Sequence, residues 1–176
     1  MKFTKTPLAG AFVIELELIE DERGFFARGW CSREFEQLGL ASNIVQANVS
    51  FNHKAGTLRG MHYQVAPYEE TKLVRCTTGA FYDVILDLRA SSATFGQWFG
   101  VELSAENRKM LYVPAGFGHG YQTLQDGTEA CYQVSEFYAP GAEQGIRYND
   151  PRFAIEWPLV VKVISEKDAN WPDYSD

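Results

Sequence analysis

Cysteine is scarce in this sequence: Cys31, Cys76 and Cys131 are odd in number, widely spaced and never arranged as C-x-x-C. No disulfide framework or zinc knuckle can be read from them, and a reducing, cytoplasmic compartment fits best. Long apolar runs are missing too. The N-terminal run Ala9 to Ile14 is cut by Glu15 and Glu17, too short and too charged for a signal-peptide core, and no stretch approaches the ~20 apolar residues of a membrane span. Positive charge is in deficit, with 16 Lys and Arg against 23 Asp and Glu, a net charge of −7. That balance speaks against nucleic acid as a partner, and any anionic ligand must be met by a few local cations. Repeats, low-complexity runs and Pro/Gly/Ser linkers are absent as well, so the 176 residues read as one domain, 1–176.

What is present is a β-rich pattern. A hydrophobic content of 45% excludes disorder and supplies a core. Short strand-like segments recur every ten residues or so, closed by Gly, Pro or Asp-Gly. Val13–Ile19 alternates, with Ile14, Leu16 and Leu18 on one face and Glu15 and Glu17 on the other. Further strands are expected at Ile44–Ser50, Leu58–Gln64, Lys72–Thr77, Phe81–Leu88, Gln97–Leu103, Met110–Val113, Gly120–Leu124 and Glu129–Tyr138. Thr78-Gly79 and Asp126-Gly127 have hairpin-turn chemistry, since Gly supplies a positive φ. The one respectable helix is Arg33–Leu38, with Ser32 as N-cap and Gly39 as the C′ residue. So many strands and so little helix imply an all-β sandwich or jelly roll, whose exposed edges a dimer would cover.

Two of the three histidines stand in suggestive contexts, Arg59-Gly60-Met61-His62-Tyr63-Gln64 and Pro114-Ala115-Gly116-Phe117-Gly118-His119-Gly120, while His53 reads as a solvated bystander. The second context resembles a P-x-G-x-x-H box of the cupin superfamily. In the first, His62-Tyr63-Gln64 stands where a cupin metal motif carries two histidines. His62, His119 and Glu69 or Glu70 still satisfy the count of a facial metal site, so a metal-dependent cupin oxygenase or isomerase is an alternative of different class.

The resemblance becomes more specific over a longer string. Asp21-Glu22-Arg23-Gly24-Phe25-Phe26, Gln46-Ala47-Asn48-Val49-Ser50, Gly56-Thr57-Leu58-Arg59-Gly60-Met61-His62-Tyr63-Gln64, Lys72-Leu73-Val74, Asp87-Leu88-Arg89, the His119 box, Tyr132 and Ser165-Glu166-Lys167-Asp168 run in order over nearly the whole chain. Together they resemble the dTDP-4-dehydrorhamnose 3,5-epimerase family. The resemblance implies a cofactor-independent, metal-free jelly-roll homodimer that epimerises a nucleotide-linked 4-keto-6-deoxy sugar, with a C-terminal tail returning to the active site.

The chemistry asks for a base on one face of the sugar, an acid on the other and a donor at the ketone oxygen, because a hydrogen beside a ketone is acidic only if the enolate is stabilised. His62 is the candidate base, since an imidazole is neutral and proton-accepting near pH 7. By resemblance Asp168 pairs with it, fixing the tautomer and stabilising the imidazolium that forms. Tyr132 is the acid, facing the interior if Ala130 and Val134 do. Lys72, at a strand start, places an ammonium at the enolate oxygen. Arg23 and Arg59 are the local cations for the diphosphate. Arg59 lies three residues before His62, a spacing that points two strand residues to opposite faces unless a bulge falls near Gly60. His119, Glu143, Lys167, Gln46 and Asn48 correspond to substrate-contacting positions of the family, and Phe26 offers a hydrophobic wall.

One position departs from the pattern. Two residues after Phe26 the family usually has glutamate, and this chain has Arg28. Either Arg28 turns to solvent, or it contacts base, ribose or phosphate and alters nucleotide preference. Other open alternatives are a 3-epimerase acting at one carbon or on another nucleotide sugar, and a non-catalytic sugar-nucleotide binding module.

Overall fold

A computed structural model of the chain describes residues 1–175, so Asp176, the end of the expected domain, lies outside the described residues. The elements are β1 (Lys2–Lys5), β2 (Phe12–Glu15), β3 (Ile19–Asp21), β4 (Gly24–Phe26), α1 (Ser32–Gln37), β5 (Gln46–Asn52), β6 (Leu58–Gln64), β7 (Lys72–Thr78), β8 (Ala80–Asp87), β9 (Trp98–Ser104), β10 (Met110–Val113), β11 (Phe117–Thr123), β12 (Thr128–Val134), β13 (Glu143–Gly145) and α2 (Glu166–Ala169). Two antiparallel sheets face each other: six strands in the order β1-β2-β10-β7-β12-β5 and five in the order β13-β6-β11-β8-β9, with β3 and β4 a separate hairpin. This is the cupin-type jelly roll that the strand count implied.

Alternation along the strands builds three apolar layers. Val74, Leu111 and Ala130 from the first sheet meet Phe81, Ile85, Leu103, Phe117 and Tyr121 from the second, all buried between the sheets. The opposite faces are covered as well. Phe35 of α1 packs on Leu73 and Met110, and residues Ile146, Phe153 and Ile155 cover Met61, Val84 and Leu86. Coverage on both sides is why β8 reads as an almost unbroken buried run. Each fully buried Phe or Leu here contributes on the order of 1.5–3 kcal/mol relative to exposure.

Two expected strands run well past the observed ones, and others are shifted: β11 starts at Phe117 rather than Gly120, and β5 covers Gln46–Asn52 rather than Ile44–Ser50. The strand expected over Val13–Ile19 ends at Glu15, where pairing with β1 and β10 ends. Leu18 is exposed, and Ile19 opens β3 instead. The strand expected to reach Tyr138 ends at Val134, opposite both Gln46 and Lys72, and Phe137 and Tyr138 are exposed beyond it. The helix begins at Ser32, with Cys31 at the N-cap and no side-chain cap; Gly39 follows it at φ +69°. The turns at Gly79 and Gly127 carry positive φ, as their sequences required.

Candidate active site

The site begins with a fault in the β6–β11 ladder. His119 pairs with His62 and Tyr121 with Arg59, so two steps on β11 span three on β6. The extra residue turns Arg59 and His62 toward one cavity despite their odd spacing. Gly60 makes this conformation accessible. Its φ is +125°, and a Cβ there would overlap Gly120 Cα and lie 2.9 Å from the His119 carbonyl oxygen.

The cavity has a volume of about 410 Å³ and opens between the two sheets. His62 and His119 reach it from the five-stranded sheet, Lys72 and Tyr132 from the facing six-stranded sheet. Tyr132 lies on the inward side of β12 between buried Ala130 and Val134, packed against the central core. His62 and Tyr132 therefore stand on opposite walls. Asp168 arrives from the tail: α2 is capped by Ser165, whose Oγ accepts from the Asp168 N–H at 3.0 Å. The tail is fastened to β13 by the Lys167–Glu143 ion pair, and the Trp171 indole fills the space above Gly145, the β13 partner of His62.

Electrostatics distinguish the groups. Asp168 is 4% exposed and accepts from His62 Nε2 at 2.6 Å and from the Gly60 N–H at 3.2 Å. Burial pushes its carboxyl up, but the His62 and Gly60 hydrogen bonds outweigh burial and hold it below the usual carboxylate range. An ionised Asp168 keeps the proton of neutral His62 on Nε2, leaving Nδ1 with a lone pair. Burial pushes the Tyr132 phenol up, reinforced by Tyr121 and Glu70, so it is protonated across neutral pH. Lys72 is buried with its ammonium 3.1 Å from Glu70. His119 gives its Nε2 to Asp83 at 2.7 Å. Among the described residues no three His, Cys, Asp or Glu side chains are grouped to hold a metal ion.

A second hollow of about 200 Å³ shares His62, Lys72 and Tyr132 with the first and is lined by Gln46, Asn48 and Glu143. Gln46 accepts the Tyr138 N–H at 2.8 Å, which sets the exposed Tyr138 ring at its rim. Arg59 is held by Asn52 at 2.8 Å while its head stays exposed at the cavity. Arg23, Phe26 and Arg28 are not brought to this cavity. Arg23 is exposed and paired with Asp21. Phe26, 67% exposed, and Arg28 border a different depression beside Met1 and Glu34, where Arg28 lies 3.6 Å from Glu34. Asp83 was missed at the level of sequence, although a charge on the inward parity of β8, between Phe81 and Ile85, is a readable signal.

A jelly roll with an aspartate-held histidine facing a partly buried phenol defines a proton-transfer site on a cupin scaffold. The sequence profile of the dTDP-4-dehydrorhamnose 3,5-epimerase family matches residues 5–176, and the chain belongs to that family. It is 42% identical over 177 residues to a dTDP-4-dehydrorhamnose 3,5-epimerase of Shigella flexneri, covering all of this chain and 97% of that one. A crystal structure of the Bacillus anthracis enzyme with TDP and PPi bound superposes with a TM-score of 0.93 at 43% identity, covering 97% of this chain and 98% of that one. An epimerase from Legionella pneumophila in complex with dTDP-4-keto-L-rhamnose superposes with a TM-score of 0.89 at 39% identity, covering 96% and 89%.

Proposed function

We propose that this protein, a single jelly-roll domain over residues 1–176, epimerises dTDP-4-dehydro-6-deoxyglucose at carbons 3 and 5 to dTDP-4-dehydrorhamnose without a cofactor. The observation that carries this reading is the placement of His62–Asp168 and Tyr132 on opposite walls of one cavity, with Lys72 beside them. His62 Nδ1 takes the proton from the carbon beside the ketone, and Asp168 stabilises the imidazolium. The electrons move onto the ketone oxygen, where the Lys72 ammonium offsets the charge. Tyr132 then delivers its phenolic proton to the opposite face, which inverts the carbon. Solvent restores both groups between the two inversions.

Arg59, His119, Gln46, Asn48 and Glu143 are assigned to the nucleotide sugar in the two hollows, which share His62, Lys72 and Tyr132, and Lys167 is assigned to it through its ion pair with Glu143. Arg23, Phe26 and Arg28 are assigned to the same ligand across a homodimer, because they do not line the cavity of their own chain. The hairpin that carries Arg23 and Phe26 exposes Ile19 as well as Phe26, and strand β5 ends its sheet with Val49 66% exposed; both are surfaces a second copy would cover. The compartment proposed is the cytoplasm; no helix of the described residues is long and apolar enough to cross a membrane. The test is turnover of dTDP-4-dehydro-6-deoxyglucose by wild type and His62→Ala. Loss of about 10²–10⁴-fold is expected for a positioned base, and equal turnover would refute the assignment.

A further inference from the structure

The reaction just described uses His119 only as a contact to the sugar and gives no task to Asp83, the buried aspartate paired with it. His62 and His119 are direct cross-strand partners, and each gives Nε2 to an aspartate Oδ1, at 2.6 Å to Asp168 and 2.7 Å to Asp83. The residue types are the same and the surroundings are opposite. Asp168 has its second oxygen satisfied by the Gly60 N–H, whereas Asp83 is 0% exposed and its Oδ2 is buried with no hydrogen-bond partner. A carboxylate anion in that position is costly unless an adjacent cation compensates it. A pair that carries one additional proton is electrically neutral and meets the requirement. With that proton on the ring, His119 is an imidazolium whose Nε2–H is bound by Asp83 and whose Nδ1–H is the remaining donor of a ring that lines the cavity. Burial pushes the Asp83 carboxyl up, only partly countered by His119 and Lys72, while Asp168 is held ionised.

We propose that Asp83 is a positioning residue that holds His119 as a proton-bearing donor, its Nδ1–H directed at the enolate oxygen beside Lys72. The assignment rests on the epimerase reading and deepens it. The proton remains on the ring as a hydrogen-bond donor, so no bond breaks at His119. Among the charged groups around it, Lys72 on β7, Arg59 and a protonated His62 on β6 oppose a charge on the ring. Asp83 on β8, Asp168 on α2 and Glu70 beside Lys72 favour it, and Tyr121 and Tyr132 are neutral phenols.

Asp83→Asn keeps an acceptor for Nε2–H but removes the charge that stabilises the second ring proton. In this variant kcat is expected to fall about 10²-fold, one oxyanion donor's share, with the Kd for dTDP unchanged. The alkaline limb of the kcat–pH profile should move to lower pH by about one unit or more, while the acidic limb, set by His62–Asp168, stays in place. Asp168→Asn should move the acidic limb instead. In a His119→Gln background, Asp83→Asn should cause no further loss. A purely structural role lowers Tm and leaves the limbs in place. An unchanged alkaline limb in Asp83→Asn, or an additive loss in the double variant, overturns the proposal. If Asp83→Asn does not fold, His119→Gln decides alone: its alkaline limb must move to the higher pH at which Tyr132 or Lys72 loses its proton, and an unmoved limb overturns the proposal. Failure of the epimerase reading is separate, seen as full turnover by His62→Ala.

Discussion

Replacing Gly60 by alanine tests how the fold positions the chemistry. The residue sits at φ +125°, a region that costs an L side chain about 1–2 kcal/mol. Its added methyl would overlap Gly120 Cα and stand 2.9 Å from the His119 carbonyl and 3.3 Å from the Gly120 nitrogen. All three are backbone atoms of the paired strand, so relief requires β6 and β11 to separate, at the ~1–3 kcal/mol typical of overpacking. The total is about 3 kcal/mol, which for a chain of this size lowers Tm by roughly 6–12 °C. Activity should fall further than stability explains. The Gly60 N–H that holds Asp168 Oδ2 and the bulge that turns Arg59 and His62 to one cavity both move. Circular-dichroism melting gives the first quantity, and turnover measured well below the melting range gives the second. A Gly60→Ala protein with wild-type Tm and wild-type kcat would refute the reasoning.

Asp87, buried and bonded to Arg89, Ser92 and Thr94, illustrates acid sensitivity. Burial raises its carboxyl, but these hydrogen bonds outweigh burial and lower it to about 2. A depressed carboxylate stabilises the fold above its unfolded value near 4, and the contribution is lost as pH falls toward 2; Asp87→Asn should cost about 2 kcal/mol at pH 7 and nothing below pH 2, read from denaturant unfolding across pH. Tyr132→Phe removes the acid but not the base, so solvent deuterium exchange should outlast net epimerisation, and full-rate inverted product would assign the acid to another group. Inactive His62→Ala and Arg23→Ala proteins, mixed and allowed to exchange subunits, should recover about a quarter of wild-type activity if the hairpin serves its partner's cavity; no recovery counts against a shared site. Arg28→Glu should change the ranking of dTDP, UDP, CDP and GDP if Arg28 meets the nucleotide, and identical affinities would leave it as the partner of Glu34 alone.

Much of the scaffold was legible because strand ends are chemically marked. Leu58–Gln64 and Met110–Val113 match the expected strands at both ends. The odd spacing of Arg59 and His62 around a glycine foretold the bulge. Most short segments were not legible, four-residue β10 being an exception. β1, β3, β4 and β13 have three or four residues each, too few to show a period, and they are defined by their partners rather than by pattern. Alternation carried the Val13–Ile19 strand too far because Leu16 and Leu18 continue the pattern after the pairing strands have ended. Within the site, Tyr132 followed from its parity with Ala130 and Val134. The pairing of Asp168 with His62, 106 positions apart, had no local signal and came only from the family likeness.

The central claim is proton exchange at two carbons by His62 and Tyr132. It is tested most directly by incubating wild type and His62→Ala with dTDP-4-dehydro-6-deoxyglucose in heavy water and locating deuterium by NMR. The account predicts deuterium at both carbon 3 and carbon 5 of an inverted product with wild type, and at neither with His62→Ala. Deuterium at carbon 3 alone, or undiminished incorporation by His62→Ala, would contradict it.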